Sequence, residues 1–302
     1  MMLTAGGSRV EARPGKAPPP PPAHVARSTK HMASGCKSGR CGSRPEDLLP
    51  RDLLCGAFVL QSVVVFASNA GYLGGLTNVE VGDKYKPLFM PAGWAFAIWG
   101  VIYAWECVAY ATVLFAPHPS PQLEAAAPFL VAANVAQLLW AVAFCRERLY
   151  VSTVFIVSIA AALCLAAEEL RGSPERFTVG LPVSIHAGWV AAASLVNVNL
   201  CFVAAEASKA AQVAAAFASA YGALVPAALL CATRGDAPFA AATAWALVAV
   251  GVEVARSPSA ADDTAVARAA LRQTAFVLAA VLAWLAASAV VFEYAEGWHD
   301  EL

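Results

Sequence analysis

Three short stretches place aromatic rings beside polar groups on one face of a helix, and one of them also carries a carboxyl group deep in an apolar run. In PLFMPAGWAFAIWGVIY (87–103), prolines and aromatics crowd the point where a loop becomes a helix, with Trp94 in its approach. Trp99, Tyr103 and Glu106 then fall within about 60° of one another at roughly 100° per residue. Asn134, Gln137, Trp140 and Phe144 share an arc of about 120°, and His186, Trp189, Ala193 and Asn197 one of about 80°. Rings so arranged stack on a flat apolar molecule while amides orient its polar edge. Each residue alone also has a structural reading, since Trp and Tyr form interfacial belts and Asn or Gln hydrogen-bond between membrane helices. Glu106 is the sharpest case: a carboxyl group in an apolar span is protonated, paired or turned to a cavity. The readings open for it are a pocket-facing or helix-bridging role and a neutral acid bonded to backbone.

Other chemistry is not written here. His186 has no second histidine in a span to complete an axial pair. Neither a nucleophile with its base, a P-loop nor a histidine-rich metal box is present, so catalysis ranks last among the functions considered. Cys36 and Cys41 form a single CxxxxC without a completing half, which implies no metal site, and no cofactor is implied elsewhere. The other six cysteines fall in or beside apolar runs and read as small core residues.

The elements that position these groups follow from composition. Of 302 residues, 59% are hydrophobic and only 14% charged, against about 25% charged in soluble domains. The charges bunch between long uncharged stretches, as a bilayer needing about 20 residues per helical crossing requires. The net charge of −1 carries no nucleic-acid signature. The fold class is therefore all-α, a polytopic membrane helix bundle, because an open sheet edge in lipid leaves backbone groups unpaired. Eight spans are expected at 53–70, 91–115, 128–144, 149–167, 181–203, 213–232, 238–252 and 274–292. Proline heads several of them, as suits a first turn, and abundant alanine lets helices approach closely. Residues 1–52, with nine Lys or Arg, four acids and the run Pro18 to Pro22, read as a disordered basic tail or targeting segment.

The loops give an orientation. Those numbered first, third, fifth and seventh carry Lys84, Lys86, Arg146, Arg148, Lys209, Arg256, Arg268 and Arg272, and the others only Arg171, Arg176 and Arg234. The positive-inside rule makes the odd loops cytosolic and sends both termini to the opposite side, although the basic tail argues the other way. There His299-Asp300-Glu301-Leu302 reads as the HDEL retrieval address of the endoplasmic reticulum, with a chance match in an acidic tail as the alternative.

These three clusters, in this order, resemble the TspO/MBR family of tryptophan-rich sensory or translocator proteins, in its longer variant. Pro91, Trp99 and Tyr103 stand at the family's second-helix positions, Gln137, Trp140 and Phe144 at its third, and Trp189, Ala193 and Asn197 at its fifth. His186 and Gln137 replace the usual Tyr and Asn, and Val198 and Phe202 occupy the places of the family's sterol-recognition Tyr and Arg. The resemblance implies a TspO-like five-helix core over 53–205 and a three-helix extension over 206–302. It implies an integral membrane protein for binding, transport or sensing, with a planar hydrophobic ligand such as a tetrapyrrole held by Trp99, Tyr103, Trp140, His186 and Trp189. Expected partners are this ligand, membrane lipid and a second copy of the chain. The alternative is a proton-coupled secondary transporter using Glu106 and Glu253, although no internal repeat supports it.

Overall fold

The computed structural model describes residues 51–115, 118–256 and 264–300; residues 1–50 of the basic tail, Glu301 and Leu302 lie outside them, while Arg51 and Asp52 open the first helix. The described chain is helical: α1 (Arg51–Asn69), α2 (Asn78–Tyr85), a 3-10 turn (Gly93–Ala97) leading into α3 (Ile98–Phe115), and α4 (Pro121–Cys145). Then come α5 (Leu149–Glu169), a π-turn (Arg176–Gly180) running into α6 (Leu181–Ala204), α7 (Lys209–Arg234), α8 (Ala237–Arg256) and α9 (Ala265–Asp300). All but α2 belong to eight segments long and apolar enough to cross a membrane. The protein is a multi-pass integral membrane protein. Its outward faces carry Val59, Val63, Val154, Val157, Val277 and Val281, all exposed, where acyl chains rather than water solvate them.

Helix ends are set by local chemistry. Ser120 caps α4 by accepting from Leu123 N at 3.1 Å, with Pro121 in the first turn, and Glu175 accepts from Ser120 N (3.2 Å) and Oγ (2.6 Å). The span expected to open at Pro128 therefore begins a full two turns earlier, and Pro128 sits inside it. Glu124, a charge inside the first turn, had cut the apolar window short. The segment between α1 and α3, read as a loop, contains α2, with a capping box of Thr77 and Glu80. The span expected from Pro91 becomes helical only at Gly93, first as a 3-10 turn. Ala92 N donates to Ala249 O at 3.0 Å and Trp245 Nε1 to Ala95 O at 3.0 Å, which fastens this turn to α8.

The centre of the bundle is α6, packed against α3, α5, α7 and α8. Between α6 and α8 the approach is closest at Gly188, where a Cβ would lie 2.4 Å from Phe239 O. Buried Ala240, Ala244 and Ala246 continue a small-residue seam on α8. Apolar burial gives little drive between helices already in lipid, so close van der Waals contact of this kind holds them. Of the six cysteines beside apolar runs, all are free thiols; Cys145, Cys201 and Cys231 are buried, while Cys107 is exposed on α3 instead of in the core.

Candidate functional site

Each of the three sequence clusters lies on its own helix, and the helices bring them together around a cavity of about 1040 Å³. Trp99 and Tyr103 enter from α3, Gln137, Trp140 and Phe144 from α4, and Trp189, Ala193 and Asn197 from α6. The rings support one another. Trp99 stacks on Tyr103 with centroids 5.6 Å apart and meets Trp189 edge-on at 6.3 Å, and Trp140 stacks on Phe144 at 5.2 Å. Polar groups are fixed by bonds between helices. Gln137 Nε2 donates to the Tyr103 hydroxyl at 2.9 Å, and that hydroxyl donates to Gln61 Oε1 of α1 at 3.4 Å. Ser152 of α5 donates to Asn197 Oδ1 at 3.1 Å.

Two wall residues hold donors that nothing answers: the indole N–H groups of Trp140 and Trp189 are buried without a hydrogen-bond partner among the described residues. Asn78 Oδ1 and Arg268 Nε, also in the lining, share that condition. Buried polar groups are nearly always paired, so four unpaired ones among the residues of one lining set this region apart from the rest of the bundle.

The mouth of the cavity lies at the ends of the spans, beneath α2. Asp83 and Lys86 line it with Glu253 of α8 and Arg268 of α9. α2 is held in place by Leu76 N donating to Cys145 O at 2.9 Å and by Glu147, which pairs with Lys84 and accepts from the Tyr85 hydroxyl at 2.8 Å. Lys84 and Tyr85 hold the Glu147 carboxyl below its usual range, and Glu147 in turn raises Lys84.

A family model described as TSPO-like protein matches residues 53–288. The chain belongs to the TSPO-like family. The match runs past Ala205 through α7 and α8 and into α9 of this TSPO-like protein. No curated protein and no solved structure matches the chain.

Four of the twelve expected ligand-binding residues stand outside the cavity lining: Trp94, Glu106, Asn134 and His186. Trp94 is turned toward α8, edge-on to Trp245 at 4.7 Å. Asn134 Nδ2 donates to the Tyr110 hydroxyl at 2.8 Å, tying α4 to α3. Glu106 and His186 are 4% and 3% exposed and share a hydrogen bond of 2.7 Å between Oε1 and Nδ1, a bridge from α3 to α6. His186 Nε2 has no partner among the described residues, and its ring stands edge-on to Trp99 at 5.4 Å. Glu253, considered with Glu106 as a proton carrier, lies at the mouth. Of the retrieval tetrapeptide only the backbone of His299 and Asp300 is described.

Sequence reading missed the contribution of α2 and of Arg268, as well as Gln61, Phe66 and Asn69 of α1. The Thr77-Asn-Val-Glu80 capping signal was there to find α2. For Gln61 the only signal was an amide within an apolar span. Among the described residues, no group of three or more metal-ligating side chains gathers.

A second cavity of about 820 Å³ lies at the opposite ends of the spans, bounded by the C-terminal ends of α5, α7 and α9 and the N-terminal ends of α6 and α8. Ser184 and Ala187 of α6 line it, whereas Trp189 and Val190 line the first, so the two linings change over on α6 at Gly188.

Proposed function

We propose that this TSPO-like protein binds a flat hydrophobic ligand of the tetrapyrrole type in the cavity beneath α2. The observation that carries the reading is the convergence of Trp99, Tyr103, Trp140, Phe144 and Trp189 from three helices on one largely apolar cavity. The volume suits a macrocycle, since pockets for such molecules reach about 1,000 Å³. Asp83, Lys86, Glu253 and Arg268 at the mouth suit a polar edge turned to water. Protoporphyrin titration of the purified protein, followed by tryptophan fluorescence, tests this. Saturable quenching is expected, and quenching left unchanged by Trp99→Phe with Trp189→Phe would rule the site out.

A second reading, proton-coupled transport, rests on the buried Glu106–His186 bridge between α3 and α6 in a bundle with cavities at opposite ends of its spans. Its test is flux in proteoliposomes, where Glu106→Gln is expected to abolish dependence on a proton gradient; equal flux would remove the proton role. Pairing of two copies through their lipid-facing helices belongs to the same proposal and is checked by the mass of the complex in detergent.

A further inference from the structure

We infer that the second cavity is a binding site for an anionic phospholipid, with its phosphate at Arg171 and Arg234 and an acyl chain running along α7 and α9. This goes beyond the tetrapyrrole site and is independent of it. Three carboxylates and three guanidinium groups ring the mouth, and their use is unequal. Asp236 accepts from Phe239 N at 3.1 Å and from the Ser184 hydroxyl, so it serves as the cap of α8. Glu293 takes both terminal nitrogens of Arg176, which closes the end of α9 onto the π-turn. That leaves Glu168 alone to answer two cations, Arg234 in close contact and Arg171 at 3.5 Å.

With Asp236 engaged in the α8 cap, three guanidinium groups share two carboxylates, and no carboxylate at the mouth is disengaged. Guanidinium forks match phosphate oxygens geometrically, whereas the ammonium of a zwitterionic headgroup would find no disengaged acid. The pairs on Glu168 are roughly half exposed, and exposed ion pairs contribute little, so an incoming phosphate displaces them cheaply. Inward of the charges the lining turns apolar, with Leu230 from α7 and Leu285 and Ala289 from α9. Trp284 and Phe292, also in the lining, are 68% and 69% exposed, so the cavity is open on a lipid-facing flank. A soluble anion would use the charges and leave this apolar crevice unfilled.

The test uses the full chain in phosphatidylcholine nanodiscs, with brominated phosphatidylglycerol introduced at increasing mole fraction and tryptophan fluorescence as the readout. Saturable quenching is expected at low mole fraction, absent with brominated phosphatidylcholine. The double substitution Arg171→Gln, Arg234→Gln should weaken it by roughly tenfold, as befits loss of charge-assisted bonds. Glu168→Gln should tighten it, because an internal competitor is removed; a merely structural cluster would lose integrity in both variants. Equal quenching by both lipids, no effect of the double substitution, or weakening by Glu168→Gln would each overturn the proposal. Competition by inorganic phosphate at comparable concentration would assign the arginines to a soluble anion and overturn it as well.

Discussion

At the scale of single residues, the bilayer separates two kinds of polar group that look alike in sequence. Gln137, Asn134 and Asn197 all find partners on neighbouring helices, whereas the indole donors of Trp140 and Trp189 do not. Trp189→Phe keeps an aromatic ring and deletes one unanswered donor. The expected result is unchanged or slightly higher thermal stability, because no partner is left behind, together with weaker protoporphyrin binding from the smaller ring in the wall. A fluorescence titration beside a thermal melt reads both quantities. Glu106 and His186 should behave in the opposite sense, because each is the other's buried partner. His186→Ala leaves a carboxyl group unanswered inside the bundle, with an expected loss of about 3 kcal/mol. Glu106→Gln retains a hydrogen-bonding group and should lose less, as denaturation in mild detergent would measure.

Helix by helix, apolar length was legible and everything that depends on a partner was not. The eight spans follow from charge spacing because lipid leaves a backbone no alternative, and the aromatic clusters of α3, α4 and α6 followed from helical periodicity. The inward turn of α2 over the cavity depends on Glu147, 62 residues away from Tyr85, and no local pattern announces such a contact. Likewise, Glu106 had three readings until His186 was found opposite it. The α2 latch gives a pH prediction. Glu147, with its carboxyl held low, contributes above the ordinary carboxylate range and loses that contribution as pH falls through its depressed value. Lys84, held high, contributes at neutral pH and loses its part only as pH rises past its raised value. The latch therefore holds between the acidic and strongly alkaline ranges. Hydrogen exchange of amides 78–85, corrected for intrinsic rates, should accelerate in acid, and Glu147→Gln should reproduce that acceleration at neutral pH. The α6–α8 seam is equally specific: Gly188→Ala drives a methyl group into Phe239 O. Its expected cost is about 1–3 kcal/mol, seen as an earlier thermal transition.

For the whole molecule, the alternation of successive spans puts α2, the α4–α5 turn and the first cavity at one face and the π-turn and second cavity at the other. The family match covers both faces, and the first cavity takes Glu253 and Arg268 from α8 and α9, so the later helices help build the mouth of the earlier site. Orientation then decides which compartment supplies each ligand. Eight cations between the spans stand at the α2 face against three at the other, an asymmetry from which the positive-inside rule predicts that the first face is cytosolic. A single reactive cysteine at Lys84, in a chain whose native cysteines are replaced by serine or alanine, should be modified by a membrane-impermeant maleimide added to sealed microsomes. The same cysteine at Arg171 should react only after the membrane is opened. The reverse pattern would turn the first cavity toward the lumen and carry residues 299–302 to the cytosol, where a luminal retrieval receptor has no access to them.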